Sequence, residues 1–173
     1  FCKKFKDIKK KKLMTTLIPK EEYLNIIKKT QINSVDMIIF NNEGEVLLGK
    51  RNNEPAKNSW FVPGGKIQKF ETLQEATKRK SKEELGIELK YEKELGVYFH
   101  NYSNNFVNED FGTNFIVFAV TMTIDKTINL QEDNQHNELR WWNINDLLKN
   151  NEVHNYTKNY FHPKPYNKFC SRL

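Results

Sequence analysis

The sequence predicts an α/β (α+β) fold in which a mixed β-sheet is sandwiched between helices. Two apolar runs, "MIIF" at 37–40 and "FIVFAV" at 115–120, have the length of buried strands and are too short to span a membrane. The segment 71–85 contains strong helix formers, and Gly86 follows it as a helix stop. Because strands and helices intermix without a regular βαβ repeat, we expect a mixed sheet with helices on both faces.

Local patterns justify each element. Acidic residues precede lysines in "KEEYLNIIKKT", which favours a helix; the turn "NNEG" joins two apolar strands into a hairpin; and Asn143 is a helix cap. In chain order the patterns predict a helix at 20–30, strands at 32–40 and 45–51, and a short strand that runs into a tight loop at 59–65. They then predict a helix at 71–85, strands at 89–100, 113–125 and 138–144, and helices at 143–150 and 155–161. Without a repeat or a linker-like stretch, residues 14–173 are predicted to form one domain.

The net charge of +6 is concentrated in the first thirteen residues. The segment "FCKKFKDIKKKKL" contains seven lysines and one aspartate, which leaves 21 basic and 21 acidic residues in the rest of the chain. We therefore predict that residues 1–13 form a disordered basic extension, and the balanced body does not favour nucleic acid as a partner. No apolar segment follows the basic start, so we expect no secretion signal, no membrane partner and a cytoplasmic location.

The stretch "FVPGGKIQKFETLQEATKRKSKEELGI", residues 61–87, carries the chemistry. A diglycine allows a ligand to approach the backbone closely, and the following helix presents carboxylates. Such an oxygen-rich pocket suits Mg²⁺ and a diphosphate. Residues four apart share a helix face, and one such row predicts an ion-pair ladder: Glu71, Glu75, Arg79 and Glu83.

Residues 65–87 resemble the Nudix box, G-x5-E-x7-R-E-U-x-E-E-x-G-U, in which U is aliphatic. The matching residues are Gly65, Glu71, Arg79, Glu83, Glu84, Gly86 and Ile87. Lys80 replaces the first glutamate of R-E-U-x-E-E, and Ser81 replaces an aliphatic residue. In many Nudix pyrophosphohydrolases that glutamate binds metal or acts as the base, so its replacement weakens the case for attack of water at phosphorus.

From about Ile32 to Phe161 the chain resembles the GDP-mannose mannosyl hydrolases, a Nudix branch with a degenerate box. The stretches that carry this resemblance include "SVDMIIFNNEGEVLLGKR", "PAKNSWFVPGGKIQKFETL", "GVYFHNYSNNF", "EDFGTNF" and "EDNQHNELRWW". The resemblance implies a Nudix fold and Mg²⁺-dependent hydrolysis of GDP-mannose or GDP-glucose to GDP and free hexose, with water attacking the anomeric carbon. Mn²⁺ is the alternative metal, and a homodimer is frequent in the family.

The resemblance also implies the residues of the site. The metal ligands would be the Gly65 carbonyl, Glu84 and Gln135, with Glu83 as an added candidate. His136 would be the general base, a role for which the ordinary pKa of histidine is suited. The other catalytic candidates are Arg51, Lys66 and Asp36, and the substrate-binding candidates are His100, Asp110 and Phe115.

Two other functions stay open. Glu83 and Glu84 allow a Nudix pyrophosphohydrolase that cleaves a nucleoside diphosphate derivative at phosphorus. The departures at Lys80, Lys66 and Phe115 allow a non-catalytic Nudix-fold module that binds nucleotides. Because Lys80 lies one helical turn before Glu84, we also hypothesise that Lys80 partly neutralises the metal site.

Overall fold

The computed structural model describes residues 18–107, 109–128, 130 and 136–162, with the backbone alone at 136 and 137. These residues form four helices and seven strands. The helices are α1 (Lys20–Ile27), α2 (Leu73–Leu85), α3 (Ile144–Lys149) and α4 (Asn155–Asn159). The strands are β1 (Ile32–Asn41), β2 (Val46–Arg51), β3 (Trp60–Phe61), β4 (Gly64–Lys66), β5 (Lys93–Tyr102), β6 (Thr113–Ile124) and β7 (His136–Trp142). The predicted extension at 1–13 and Gln135 lie outside the described residues.

Strand β1 lies at the centre of one mixed sheet. It runs parallel to β6 along its whole length, from Ile32 opposite Phe115 to Asn41 opposite Ile124. It is antiparallel to β2, as the hairpin prediction requires, and to β4. Strand β5 extends the sheet beyond β6, and β3 and β7 both pair with β2. The predicted mixed sheet is therefore confirmed.

The alternation of side chains along β1 separates two cores. Val35, Met37 and Ile39 pack towards α2, whereas Ile38 packs into the core that also contains Leu147 of α3. Since alternate residues of a strand share a face, Asp36 lies on the same face as Ile38. Helices therefore cover both faces of the sheet, as predicted, and Asp36 is buried beneath the C-terminal helices.

Helix α2 begins after a capping box. The Thr72 hydroxyl accepts the Glu75 N–H, and the Glu75 carboxylate accepts the Thr72 N–H. Gly86 ends the helix in the left-handed conformation, with φ of 76°, as its position in the sequence predicted. These caps fix where the carboxylates of α2 stand relative to the diglycine.

The stretch 59–65, predicted as a short strand that runs into a tight loop, contains β3 and the start of a second strand, β4. Val62 and Pro63 separate β3 from β4, because β3 pairs with β2 whereas β4 pairs with β1. The Pro63 carbonyl accepts the N–H of Met37 at this crossing. No helix within the described ranges is long and apolar enough to cross a lipid bilayer.

Candidate active site

The diglycine joins the central strand to helix α2. Gly64 pairs with Asp36 of β1, and the Gly64 N–H donates to Oε2 of Glu84 at 2.8 Å. A Cβ atom on Gly64 would overlap the Val35 carbonyl oxygen and lie 2.9 Å from Oδ1 of Asp36. Glycine is therefore required at this position if both carboxylates are to approach the loop.

We expect Gly64→Ala to destabilise the protein by about 1–3 kcal/mol, because the added methyl group meets backbone that cannot move aside. Gly65→Ala is the matched control. Its Cβ would meet the end of the Lys80 side chain, 2.6 Å from Cε, and a lysine chain shifts more easily than a strand. Urea unfolding of both variants measures the difference, and equal losses of stability would contradict this explanation.

Glu84 is fully buried and faces a cation supplied by the protein. Its Oε1 lies 2.8 Å from the Lys80 ammonium nitrogen, which is also 3.2 Å from the Glu83 carboxylate. Burial alone would lower the pKa of Lys80, but the charges of Glu84 and Glu83 outweigh it and raise that pKa. Lys80 is therefore charged, in agreement with the hypothesis that it neutralises this site.

Arg79 and Glu71 fix the loop between the diglycine and α2. Arg79 Nε donates to Glu71 Oε1 at 2.6 Å, and Nη2 donates to Glu71 Oε2 and to the Lys66 carbonyl at 2.8 and 2.9 Å. Arg79 Nη1 also donates to both Glu83 oxygens at 3.2 Å. These box residues thus hold the loop on the helix, and Glu83 is shared between two cations.

On the other side of the diglycine, Asp36 begins a buried chain of hydrogen bonds. The Tyr160 hydroxyl donates to Asp36 Oδ2 at 2.6 Å and lies 3.2 Å from Nε2 of His100. When Asp36 is ionised, the single hydroxyl hydrogen of Tyr160 is used in the hydrogen bond to that carboxylate. The contact with His100 is then a hydrogen bond from a protonated Nε2 to the Tyr160 oxygen. Burial raises the pKa of Asp36 to about 7, against the Tyr160 hydrogen bond and Arg51, and Glu84 adds to the rise.

Rings surround this chain, and we call them the aromatic group: Phe61, His100, Tyr102, Phe115, His154 and Tyr156. The His100 imidazole stacks on Tyr156, with centroids 4.1 Å apart and planes 5° apart. Burial and the neighbouring His154 lower the pKa of His100 to about 3, while burial and Arg51 lower that of His154 to about 4. Both imidazoles are neutral at pH 7. Phe61 and His100 are buried and the other four rings are half-buried, so only those four offer ring surface to a flat base or a sugar ring.

Arg51 ends β2 beside the aromatic group. Its guanidinium lies 5.8 Å from the centre of the Phe61 ring, and it donates to the Pro55 carbonyl and to the Asn53 side chain, at 3.0 Å each. Across the β2–β7 ladder, Arg51 pairs with His136. The backbone therefore places His136, the predicted general base, directly opposite Arg51, another predicted catalytic residue.

Lys66 and Asp110 take up other positions. The Lys66 ammonium lies 4.2 Å from the centre of the Tyr23 ring. Partial burial, with repulsion by Arg79 and Lys80, lowers its pKa. Asp110 is exposed in the loop before β6. The predicted roles of Lys66 and Asp110 stay predictions.

A family model for the NUDIX domain matches residues 30–162, a range that contains every strand and every site residue described above. The chain belongs to the NUDIX domain family. It is thus one of the Nudix hydrolases, which generally use divalent metals such as Mg²⁺ or Mn²⁺.

Known Nudix and related proteins agree with this assignment. The chain is 41% identical over 126 residues to the low-salt glycan biosynthesis protein Agl8 of Haloferax volcanii, covering 73% of this chain and 80% of that protein. Over 60 residues it is 42% identical to an ADP-ribose pyrophosphatase of Methanocaldococcus jannaschii, covering 35% and 36%. The MutT protein from Methanosarcina mazei Go1 has a TM-score of 0.65 at 23% identity, covering 79% of this chain and 94% of that chain. This similarity shows a shared fold, and the predicted Nudix fold is confirmed.

The fit of a Nudix metal to these residues is incomplete. Glu83, Glu84 and the diglycine backbone offer the hard oxygen atoms that Mg²⁺ prefers. Among the described residues, however, no group of three His, Cys, Asp or Glu side chains could hold a metal ion. Since Lys80 already lies at Glu84, these side chains do not fit a divalent ion unless Lys80 moves.

Sequence reasoning missed four side chains of the site: Tyr102, His154, Tyr156 and Tyr160. The sequence gives only a weak indication of these side chains. In "NYTKNYF" the two tyrosines stand one helical turn apart, which places both on one side of α4. The Tyr156 hydroxyl also donates to the Asn101 carbonyl and accepts the Asn101 N–H, both at 2.8 Å, so it fixes α4 to β5.

Proposed function

We propose that this Nudix hydrolase converts GDP-mannose or GDP-glucose to GDP and free hexose, with water attacking the anomeric carbon. Arg51 beside the aromatic group supports the proposal, because a guanidinium suits a diphosphate and flat rings suit a base or a sugar. The relative named for glycan biosynthesis supports a substrate that contains a sugar. The resemblance to the mannosyl hydrolases supports the choice of GDP-sugar.

The observation that carries the choice of bond is the ion pair between Lys80 and Glu84. Attack of water at phosphorus would draw on helix carboxylates to hold metal or to remove a proton. On α2, Glu84 is engaged by Lys80 and Gly64, and Glu83 is shared between Lys80 and Arg79. Because both glutamates are already paired, the proton of the attacking water is more readily removed by a base away from α2, at the sugar end of the substrate.

His136 is the proposed general base. Its position opposite Arg51 supports this role, because the sugar lies next to the diphosphate in the substrate. The water oxygen forms a bond to the anomeric carbon and gives its proton to the His136 imidazole, while the bond from that carbon to the diphosphate oxygen breaks. GDP leaves with the bonding electrons, and the configuration at the anomeric carbon inverts.

Positive charge near the diphosphate favours the departure of GDP. We assign this charge to Arg51, with Lys66 as the second cationic candidate. Mg²⁺, or alternatively Mn²⁺, stays the predicted cofactor; Glu84, Glu83 and the Gly65 carbonyl would hold it only once Lys80 leaves Glu84, and it would supply further positive charge. A homodimer and a cytoplasmic location stay predictions that accompany this proposal.

Arg51→Lys is expected to raise KM for the GDP-sugar by about tenfold, because lysine keeps the charge but loses the two-pronged geometry. Lys50→Arg is the matched control. Lys50 is the preceding residue and pairs with Glu152, so this change should leave KM unaltered. Steady-state kinetics measure both variants. An unchanged KM for Arg51→Lys would remove Arg51 from the diphosphate site.

The reaction is tested by turnover in ¹⁸O-water with Mg²⁺ and a panel of GDP-, UDP- and ADP-sugars. Label in the hexose is expected for a GDP-sugar, and His136→Gln should suppress its formation. Label in a phosphate group would overturn the proposal in favour of a pyrophosphohydrolase. That alternative is favoured by the stretch similar to an ADP-ribose pyrophosphatase, so ADP-ribose belongs in the panel. Binding without product would indicate a non-catalytic nucleotide-binding module.

A further inference from the structure

We infer that the ammonium group of Lys80 is the resident cation of the Glu83–Glu84 site and that it excludes a divalent metal ion from the free protein. The inference concerns the same site as the proposed function, but it does not depend on which substrate is hydrolysed. Metal binding without a nucleotide therefore tests it separately from the ¹⁸O experiment.

The position of Lys80 carries the inference. Its Nζ lies 2.8 Å from Glu84 Oε1 and 3.2 Å from Glu83 Oε2. The side chain passes over Gly65, where a Cβ atom would lie 2.6 Å from Cε and 3.1 Å from Nζ of Lys80. The Lys80 side chain thus places one cationic nitrogen at both carboxylates and lies against Gly65, and these are groups that the Nudix box offers to a metal.

Glu84 has little freedom to serve a second cation. It is fully buried, and the Gly64 N–H fixes its other oxygen at 2.8 Å. Mg²⁺ binds carboxylate oxygens at about 2.0–2.1 Å, and an ammonium group beside the same oxygen would repel it in a site with little water. A divalent ion can therefore reach Glu84 only when Lys80 leaves.

The test compares the wild type with Lys80→Met, which keeps an unbranched side chain one atom shorter and removes the charge. Mn²⁺ binding is followed by electron paramagnetic resonance, and thermal unfolding is followed with and without Mg²⁺, all without nucleotide. The wild type is expected to show neither specific Mn²⁺ binding nor stabilisation by Mg²⁺. Lys80→Met is expected to bind Mn²⁺ at least about tenfold more tightly and to gain thermal stability from Mg²⁺.

Two variants make the outcome specific. Lys82→Met removes an exposed lysine of α2 that pairs with Glu88 beyond the end of the helix, and it should gain no metal binding. Adding Glu84→Gln to Lys80→Met should remove the gain. Wild-type Mn²⁺ binding that Glu84→Gln abolishes would overturn the inference, as would a folded Lys80→Met without any gain. If Lys80→Met does not fold, the wild-type titration decides: Mn²⁺ binding at Glu84 overturns the inference, and its absence supports it.

Discussion

Glu84→Gln is expected to destabilise the protein by about 3–5 kcal/mol, because it removes one partner of a buried ion pair. Glutamine keeps an oxygen for the Gly64 N–H. Its amide group then presents a donor to the Lys80 ammonium, which is itself a donor and only 8% exposed. Lys80 keeps Glu83 as a partner, but that carboxylate is 48% exposed and compensates little.

Urea unfolding of a double-mutant cycle measures this effect. Glu84→Gln combined with Lys80→Met should recover much of the lost stability, since two neutral side chains replace the buried charges. Glu83→Gln is the matched control on the same helix. Because Glu83 is half exposed, its loss should cost no more than about 1 kcal/mol. Equal destabilisation by Glu83→Gln and Glu84→Gln would show that burial of the pair is not the cause.

Features of the site that depend on neighbours in the chain could be predicted from the sequence. Gly86 ended the helix as expected, and the spacing of Lys80 and Glu84 predicted a contact that the structure shows at 2.8 Å. The start of α2 was misplaced by two residues because Thr72, rather than an earlier residue, is the cap. Each of these signals lies within one or two helical turns, where spacing fixes geometry.

Features that depend on distant pairing could not be predicted. The hairpin pattern identified β2 as a neighbour of β1, but no local signal indicates that β6 runs parallel to β1 along its whole length. Tyr160 lies 124 residues from Asp36, and only the docking of α4 on the sheet brings its hydroxyl to that carboxylate. Asp36 could be recognised from the sequence as an unusual polar residue among apolar strand residues. Its hydrogen-bond partners could be identified only from the fold.

Asp36→Asn is expected to stabilise the protein by up to about 4 kcal/mol above pH 7, because it removes a carboxylate that burial disfavours. Asparagine has a similar shape and can still accept the Tyr160 hydroxyl. The gain should shrink as the pH falls and disappear below pH 3.8, where Asp36 is protonated in both the folded and the unfolded protein. Urea unfolding of the wild type and the variant across this pH range measures the effect.

The direction of the pH dependence follows from the raised pKa. The pKa of Asp36 rises from 3.8 to about 7 in the folded protein, so folding takes up a proton between these values. The stability that this group contributes is therefore complete below pH 4 and is lost as the pH rises to 7. Two other charged groups also act on Asp36: Arg51 lowers its pKa and Glu84 raises it, and both effects are smaller than that of burial.

Tyr160→Phe tests whether the titrating group is Asp36. The Tyr160 hydrogen bond lowers the pKa of Asp36, so its loss should move the inflection of the stability curve to higher pH. The same change leaves His100 without its hydroxyl partner, but His100 remains neutral throughout this range and should not add an inflection. If Asp36 were instead an ionised partner of Arg51, stability would rise with pH and Asp36→Asn would be destabilising at pH 8. That opposite slope would show that attraction to Arg51, rather than burial, controls this carboxyl group.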